Sequence, residues 1–444
     1  MKIERILLIL PNYQGSGPGE YRPLFPPLAL TQLAALTPPN IKVEIIDELV
    51  RPINFGDPAN LVGISLTMSA ARPRAIQIAQ EFRHRGVPVV FGGVDPTFAF
   101  QECAPHTDYI FRGEAEGGWR EFIEKLQHDE APQVFRAKPW PDLTLAPAPR
   151  RDLLNPKDYV FFNIVQTGRG CSHSCDFCSV WVFSGHKMRF RSILKVICEI
   201  KSLPRGVIIL ADDNIVADYN HARNLFLSLR PLKRSWFAQA DTTLLDHPDL
   251  VELAAESGCV VFFIGLESFN PESLVEADKS FNEIGRYEEL VKLLHRHGIG
   301  IIPAMMFGYD ADTTDYFRQC ERELHRVKAD APQFTVLTPL PGTKLFYRMR
   351  KEGKLIEGKD LSCYDGTQAV FRPAQMTPEE LENGVKELYA RYYRLRMIIW
   401  RLVSDIWFWR HPIRRLRLLG LLFGQFAPRI WDWVKRYRLS KLRK

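Results

Sequence analysis

Three cysteines lie within eight residues, in the segment Gly168-Arg169-Gly170-Cys171-Ser172-His173-Ser174-Cys175-Asp176-Phe177-Cys178. Cysteine thiolates are the usual ligands of iron–sulfur clusters. A four-iron cluster held by three thiolates keeps one iron open, and that iron can chelate a small molecule and pass it an electron. The spacing therefore favours a [4Fe–4S] cluster on Cys171, Cys175 and Cys178.

Two other chemistries fit the same thiols less well. A structural zinc site needs four protein ligands, and no Cys/His pair follows at finger spacing. His173 would have to complete such a site from within the tight loop itself. A disulfide needs an oxidising compartment, and the first residues look like a β-strand rather than a signal sequence. Zinc or structural thiols remain the alternative at this point.

The motif resembles the signature of the radical S-adenosylmethionine (SAM) superfamily, C-x₃-C-aromatic-x-C, with Phe177 at the aromatic position. The preceding Gly-Arg-Gly agrees as well. This resemblance implies an enzyme in which SAM binds the open iron through its amino and carboxylate groups. Reductive cleavage of SAM would then yield a 5′-deoxyadenosyl radical that abstracts hydrogen from an unactivated carbon.

Residues 1–131 show short apolar strands that alternate with helical segments, which predicts a parallel, doubly wound sheet. Such sheets bind ligands at the carboxyl ends of their strands. Two of these ends carry small residues, Ser65 with Thr67 and Gly92 with Gly93, which would let a large flat ligand approach the backbone.

This region resembles the cobalamin-binding domain that precedes many radical SAM domains. Gly92–Thr97 is similar to that group's Gly-Gly-x-His-Pro-Thr, with Asp95 in place of the usual His, and Phe111–Glu116 is similar to its Arg-Gly-Glu-x-Glu turn. The cobalt-ligating Asp-x-His-x-x-Gly motif is absent after the first strand. The resemblance implies cobalamin at Ser65, Thr67, Gly92 and Gly93; the alternative is a cofactor-free domain that covers the active site.

Six prolines in residues 132–158 predict an extended linker. Residues 159–345 then contain six apolar strand candidates separated by helical segments, which suits the partial (β/α)6 barrel of the radical SAM family. The candidates are Phe162–Gln166, Val207–Ala211, Trp236–Ala240, Val260–Ile264, Ile299–Phe307 and Gln333–Leu337.

Polar residues at the carboxyl ends of barrel strands face the active site. The resemblance places the SAM amino group near Asp212 or Asp213, a ribose hydroxyl near Glu267, and a further SAM contact at Gln239. Each acid could instead cap a helix or carry a solvated loop charge. Cys363, in a loop, is a candidate active-site thiol.

A helical connector covers residues 346–390, with Thr377 as the N-cap of its helix. Residues 391–444 are different in composition: they hold fifteen Lys and Arg against two Asp, and five of the nine tryptophans. The formal charge of +7 arises from this tail, and the rest of the chain is slightly acidic. Interleaved Trp, Leu and Arg predict an amphipathic helical tail at a membrane surface; packing on the barrel and nucleic-acid binding are the alternatives.

These features predict a cytoplasmic enzyme that is peripheral at the inner face of the membrane and receives electrons from a reductant such as flavodoxin or ferredoxin. The expected reaction is cobalamin-dependent C-methylation of a hydrophobic substrate: a lipid, an isoprenoid or a tetrapyrrole. Radical rearrangement, cyclisation or C–C coupling without methyl transfer is the first alternative. A non-catalytic iron–sulfur redox protein at the membrane is the second. The slightly acidic body argues against a nucleic-acid partner.

Overall fold

A computed structural model describes residues 2–12, 22–394, 396 and 397. The chain divides into two compact units. The first contains Met1–Arg205, Pro339–Gly353 and Glu357–Asp365; the second contains Gly206–Thr338, Lys354–Ile356 and the described residues from 366 onward. Apart from its first residues, the tail predicted at 391–444 lies outside the described part of the chain, and so do its five tryptophans.

The first unit is built on a six-stranded parallel sheet with the order β2-β1-β3-β4-β5-β6. Its strands are β1 (Arg5–Leu10), β2 (Lys42–Asp47), β3 (Leu61–Ser65), β4 (Val89–Gly92), β5 (Tyr109–Arg112) and β6 (Val134–Arg136). Its helices are α1 (Leu28–Leu36), α2 (Arg72–His84), α3 (Val94–Phe98), α4 (Phe100–Cys103) and α5 (Trp119–Gln127). The sequence predicts the first five strands; β6 is an additional strand within the proline-rich stretch.

Both faces of this sheet are covered, as the doubly wound prediction requires. Successive side chains of a strand point to opposite faces. Ile6 and Leu8 of β1 accordingly belong to one apolar cluster, with residues of α1 and α5. Leu7 and Ile9 belong to the other, with residues of α2. The continuous apolar run of β1 is therefore the pattern of a strand that is buried on both sides.

The strand order reverses next to β1. The chain passes from β1 outward to β2 and then returns to β3 on the other side of β1. Ligands on open α/β sheets bind beyond the carboxyl ends of the strands at such a switch point. Ser65 ends β3 and Gly92 ends the neighbouring β4, so both lie on this edge of the sheet.

The remainder of the first unit consists of short elements that follow the sheet. They are the strands β7 (Ile164–Val165), β8 (Gly168–Arg169) and β9 (Arg189–Phe190), the helices α6 (Val180–Ser184) and α7 (Ile193–Ser202), and, later in the chain, helix α13 (Lys344–Lys351). β8 and β9 pair antiparallel.

The second unit contains a parallel sheet whose neighbouring strands follow the order of the chain, which is the winding of β/α barrels. Its strands are β10 (Ile208–Leu210), β11 (Trp236–Ala240), β12 (Cys259–Glu267), β13 (Gly300–Phe307) and β14 (Gln333–Val336). Its helices are α8 (Tyr219–Leu229), α9 (Pro248–Ser257), α10 (Pro271–Glu276), α11 (Tyr287–Arg296), α12 (Tyr316–Arg326) and α14 (Pro378–Tyr392). The α/β class is thus confirmed in both units.

Helix α14 begins where the sequence predicts. The Thr377 hydroxyl accepts a hydrogen bond from the Glu380 amide, and the Glu380 carboxylate accepts one from the Thr377 amide. This reciprocal capping box satisfies two amides at the start of the helix. None of the helices in the described residues has the length and apolar composition that crossing a membrane would need.

Candidate active site

The three-cysteine loop is closed at its base by the hairpin of β8 and β9. Arg169 pairs with Arg189, and Gly168 pairs with Phe190. Gly170 follows β8 with φ of 104°, and a Cβ there would lie 2.7 Å from the Lys187 carbonyl oxygen. A glycine is needed at this position because the backbone conformation and the close approach both exclude a side chain.

None of the three cysteines in the loop forms a disulfide bond. All eight cysteines of the chain lie in the described part, and none of them is cross-linked. Cys175 is 8% exposed, while Cys171 and Cys178 are half-buried. The Cys175 carbonyl accepts hydrogen bonds from the Cys178 amide at 3.1 Å and from the Trp181 indole at 2.9 Å. Phe177 is half-buried beside them.

This donor set fits an iron–sulfur cluster better than a single metal ion. The loop offers three thiols, those of Cys171, Cys175 and Cys178. The ligands of a mononuclear site must meet at one atom, whereas each thiolate of a cluster binds its own iron. Three reduced thiols on one braced loop are what a cluster with an open iron requires.

Helix α13 braces the loop from the side, a contact that sequence reasoning did not predict. The Leu345 amide donates to the Asp176 carbonyl at 3.0 Å, and Arg348 donates to the buried Asp176 carboxylate at 2.8 Å. The Lys344 ammonium donates to the Ser174 carbonyl at 3.3 Å. The loop backbone between Cys171 and Cys178 is therefore fixed by residues that follow it by about 170 positions.

A buried charge network ties the base of the loop to the N-terminal sheet. Arg169 of β8 donates to Glu114 at 2.7 Å and to both carboxylate oxygens of Glu116 at 2.7 and 2.9 Å. Arg189 of β9 donates to both oxygens of Glu114, at 2.5 and 3.0 Å. The Gly-Arg-Gly and Arg-Gly-Glu-x-Glu motifs therefore meet as ion-pair partners. The opposite charges of the two motifs were the sequence signal from which this contact could have been predicted.

The charges in this network stabilise one another. Burial alone would raise the pKa of Glu116, but the hydrogen bonds and positive charge of Arg169 outweigh it and hold that pKa below its usual value. Burial alone would lower the pKa of Arg169, and the two glutamates raise it instead. All four side chains are less than 20% exposed, so the ion pairs are shielded from solvent and salt.

The carboxyl edge of the N-terminal sheet carries the four residues predicted to contact cobalamin. Ser65 and Gly92 end neighbouring strands, Thr67 is exposed, and a Cβ added at Gly92 would find no atom nearer than 3.9 Å. Gly93 has a different role: its φ is 119°, and a Cβ there would lie 2.4 Å from the Leu66 carbonyl oxygen. The small side chains at this edge fit a flat ligand.

Asp95, which stands where the related motif has His, turns toward α2. Its carboxylate accepts two hydrogen bonds from Arg72, at 2.6 and 2.8 Å, and one from Ser69 at 2.6 Å. Both members of the ion pair are buried. The short turn Leu361–Cys363 packs against the 3₁₀ turn Ser69–Ala71 and against α2. Cys363 is half-buried on that turn, so the structure places this candidate thiol beside the N-terminal sheet.

In the second unit, Asp212 and Asp213 follow β10, with Asp212 buried and Asp213 half-buried. Gln239 of β11 is exposed. Asp241 caps a short helix, because its carboxylate accepts a hydrogen bond from the Thr243 amide at 2.9 Å. Asp241, two residues beyond Gln239, therefore serves as an N-cap in this structure.

Glu267 is the most distinctive of the predicted SAM contacts. It is 5% exposed and adopts φ of 64°, a left-handed conformation that is uncommon for a residue with a side chain. The register with β13 shifts between Gly265 and Glu267. One carboxylate oxygen, Oε1, forms an ion pair with Lys279 at 2.6 Å, while Oε2 has no hydrogen-bond partner. A buried acceptor of this kind is suited to a ligand hydroxyl.

Two methionines and two cysteines of the second unit lie in or beside its core. Met305 is fully buried and Met306 is half-buried, with the Tyr309 hydroxyl 3.5 Å from the Met306 sulfur. Cys259 and Cys320 are buried thiols, and burial raises the pKa of Cys320 well above its usual value.

Comparison with known proteins agrees with these features. The family model of the radical SAM superfamily matches residues 165–323. The chain is 27% identical to the bacteriochlorophyllide d C-12(1)-methyltransferase of Chlorobaculum tepidum, over 96% of this chain and 93% of that protein. It is 26% identical to the hopanoid C-2 methylase of Rhodopseudomonas palustris, over 79% and 71%.

A solved structure shows the same fold. The radical SAM methyltransferase TsrM from Kitasatospora setae, with cobalamin and a [4Fe–4S] cluster bound, superposes with a TM-score of 0.67. The match covers 86% of this chain and 85% of that one, at 19% identity. The cysteine loop, the family match and the full-length relatives show that this chain contains a radical SAM domain, and its two parallel sheets share the fold of a radical SAM methyltransferase that binds cobalamin.

Proposed function

We propose that this protein is a cobalamin-dependent radical SAM methyltransferase that methylates an unactivated carbon of a tetrapyrrole or of a similarly hydrophobic substrate such as a hopanoid. The observation that carries the proposal is the three-cysteine loop within a chain that matches a bacteriochlorophyllide methyltransferase over nearly its whole length. The substrates of the relatives are one tetrapyrrole and one hopanoid, both large and apolar.

In this proposal Cys171, Cys175 and Cys178 hold the cluster, and the carboxyl edge around Ser65, Thr67, Gly92 and Gly93 faces the corrin. When bound, the cluster supplies the electron that cleaves SAM and the corrin supplies the methyl group. Helix α13 and the Arg169 network hold the loop backbone in place, so that the thiols need little reorganisation to take up iron.

Glu267 supports SAM binding in the second unit. Its Oε1 is held by Lys279, which orients the carboxylate and leaves Oε2 available to accept a hydrogen bond from a ribose hydroxyl. Asp212 and Asp213 supply negative charge for an ammonium group, and exposed Gln239 supplies an amide. Phe177 lies between two ligand cysteines, where its ring can pack on the adenosyl moiety.

The tail at 391–444 is proposed to hold the protein at the inner face of the membrane. Its fifteen basic residues and five tryptophans give it the composition of an interfacial segment. A peripheral position would bring the enzyme to an apolar substrate that partitions into lipid. Deleting residues 398–444 is expected to abolish co-sedimentation with anionic vesicles while leaving the cluster absorbance unchanged.

The test is anaerobic reconstitution with iron, sulfide and hydroxocobalamin, followed by absorbance spectra after desalting. Retained corrin bands beside the cluster absorption are expected. Turnover with bacteriochlorophyllide and methyl-deuterated SAM should then place deuterium in the product and release 5′-deoxyadenosine. Cleavage of SAM without label in the product would instead indicate cyclisation or coupling, and a protein with corrin and cluster that never cleaves SAM would refute enzymatic function.

A further inference from the structure

Helix α13 separates its residues into two faces. Leu345 and Met349 are buried, whereas Lys344, Tyr347, Arg350 and Lys351 are exposed. The exposed residues are spaced i, i+3, i+6 and i+7, so they form one stripe on the helix. The helix sequence contains no Asp or Glu. The exposed face of α13 is therefore uniformly positive around one tyrosine.

The positive surface continues onto the far end of the cysteine loop. The Lys344 ammonium lies 5.0 Å from the centre of the Trp181 ring, and the His186 ring stacks on the same indole at 4.8 Å. His186 and Lys187 are both exposed. We call the residues His186, Lys187, Lys344, Tyr347, Arg350 and Lys351 the α13 surface.

An exposed aromatic residue surrounded by charge is typical of a protein interface. Tyr347 is 57% exposed although it is a large aromatic side chain. Tyr and Arg are enriched at the residues that contribute most to protein–protein binding. An eight-residue helix is about 12 Å long, which suits the small, weak interfaces of electron-transfer encounters.

Helix α13 and Trp181, which lie beneath and beside the α13 surface, are hydrogen-bonded directly to the candidate cluster loop. The Leu345 amide donates to Asp176, the Lys344 ammonium donates to Ser174, and the Trp181 indole donates to the Cys175 carbonyl. A partner seated on this helix would thus contact residues that are themselves hydrogen-bonded to the cysteine loop. The cluster needs an electron from outside the chain before SAM can be cleaved.

We infer that the α13 surface is the docking site for an acidic electron-donor protein that reduces the cluster. The inference rests on the proposed function, since it needs a cluster on Cys171, Cys175 and Cys178. Complementary charge steers such partners and raises association rates by roughly 10 to 1,000-fold, an effect that salt suppresses. A negatively charged donor matches this surface, whereas a membrane would need apolar side chains beyond Tyr347 to insert.

The test measures reduction of the reconstituted cluster by stopped-flow absorbance, with reduced flavodoxin as the acidic donor and dithionite as the small-molecule donor. The variant is R350E/K351E, whose two residues lie on the stripe but have no part in holding the loop. The matched control is K201E/R205E, which changes the net charge equally at two exposed residues around the end of α7. Binding of labelled flavodoxin to the cluster-free protein, followed by fluorescence anisotropy, gives a second readout.

The expected result is a loss of about tenfold or more in the flavodoxin rate constant and affinity of R350E/K351E at low ionic strength. The dithionite rate of this variant and all rates of K201E/R205E should stay within about twofold of the wild type. Wild-type flavodoxin rates should also fall steeply with salt, a measurement that needs no variant.

The inference would be overturned by equal flavodoxin rates in R350E/K351E and the wild type, or by a wild-type rate independent of salt. It would also be overturned if R350E/K351E lost only its binding to vesicles of anionic phospholipid, which would make the surface a membrane contact. A protein that never assembles a cluster would refute the proposed function instead, so the two failures are distinguishable.

Discussion

Glu114 is the centre of the buried charge network, and replacing it with glutamine tests whether that network holds the cysteine loop. The carboxylate accepts three hydrogen bonds, two from Arg189 and one from Arg169. It is 4% exposed, and Arg189 is 8% exposed. Glu114→Gln removes the negative charge with little change of shape, so Arg189 would remain buried without its ion-pair partner.

Removing one partner of a buried ion pair typically costs about 3 to 5 kcal/mol. For a unit of this size each kcal/mol lowers the melting temperature by about 2 to 4 °C, so Glu114→Gln should lower it by roughly 6 to 20 °C. The assay is differential scanning calorimetry of the cluster-free protein. Iron uptake by the variant should also be slower, because Arg169 lies two residues before Cys171.

The matched control is Asp152→Asn, which removes an equally short but exposed ion pair with Arg150. That change should stay within about 0.5 kcal/mol of the wild type. Glu114→Leu combined with Arg189→Met, which removes both buried charges, should recover part of the loss. A loss below about 1 kcal/mol for Glu114→Gln, or one equal to that of Asp152→Asn, would refute the reasoning.

Three further changes test other parts of the molecule. Gly93→Ala should cost at least about 2 kcal/mol of unfolding free energy, because of its positive φ and the clash with Leu66, whereas Gly92→Ala should be nearly neutral in urea unfolding and should reduce only corrin retention. Glu267→Gln should raise the Kd for SAM by about 10 to 100-fold, since a hydrogen bond to a charged group contributes about 1.5 to 3 kcal/mol; an unchanged Kd in equilibrium dialysis of folded protein would contradict its role. Burial raises the pKa of Asp312 from 3.8 to about 6, so its contribution to stability is greatest below pH 4 and is lost as the pH rises through 6. Asp312→Asn should remove up to about 3 kcal/mol of this pH dependence. The unfolding free energy, measured by urea titration at pH 4.5 and at pH 7, should therefore change less with pH in the variant than in the wild type, and an equal change in both proteins would contradict the prediction.

Much of the fold follows from local patterns in the sequence. The strands of both sheets are short apolar runs bounded by Gly, Pro or polar residues, and the start of α14 is given by Thr377 and Glu380 alone. β6 was not predicted, because Val134–Arg136 has only three residues and stands among prolines. It is an edge strand, where a proline on either side costs no ladder hydrogen bond.

The cysteine spacing identified the cluster loop, but that spacing could not predict which residues hold the loop in place. Arg348 contacts Asp176 across 172 positions of sequence, and Arg169 contacts Glu114 across 55. Such pairs depend on how the chain folds back on itself, and each charge taken alone looks like a solvated one. Asp95 shows the same limit: the sequence marked it as a departure from a ligand motif, and only its contact with Arg72 explains it.

The position of β6 has a practical consequence for dividing this protein into pieces. Arg136 lies opposite Arg112, and the hydrogen bonding continues one step further, where the Ala137 amide donates to the Arg112 carbonyl. A fragment truncated at residue 131 would expose the hydrogen-bonding edge of β5, and bare strand edges recruit other chains. A recombinant N-terminal fragment should therefore extend to at least residue 138, and its shorter version should form aggregates rather than a monomer.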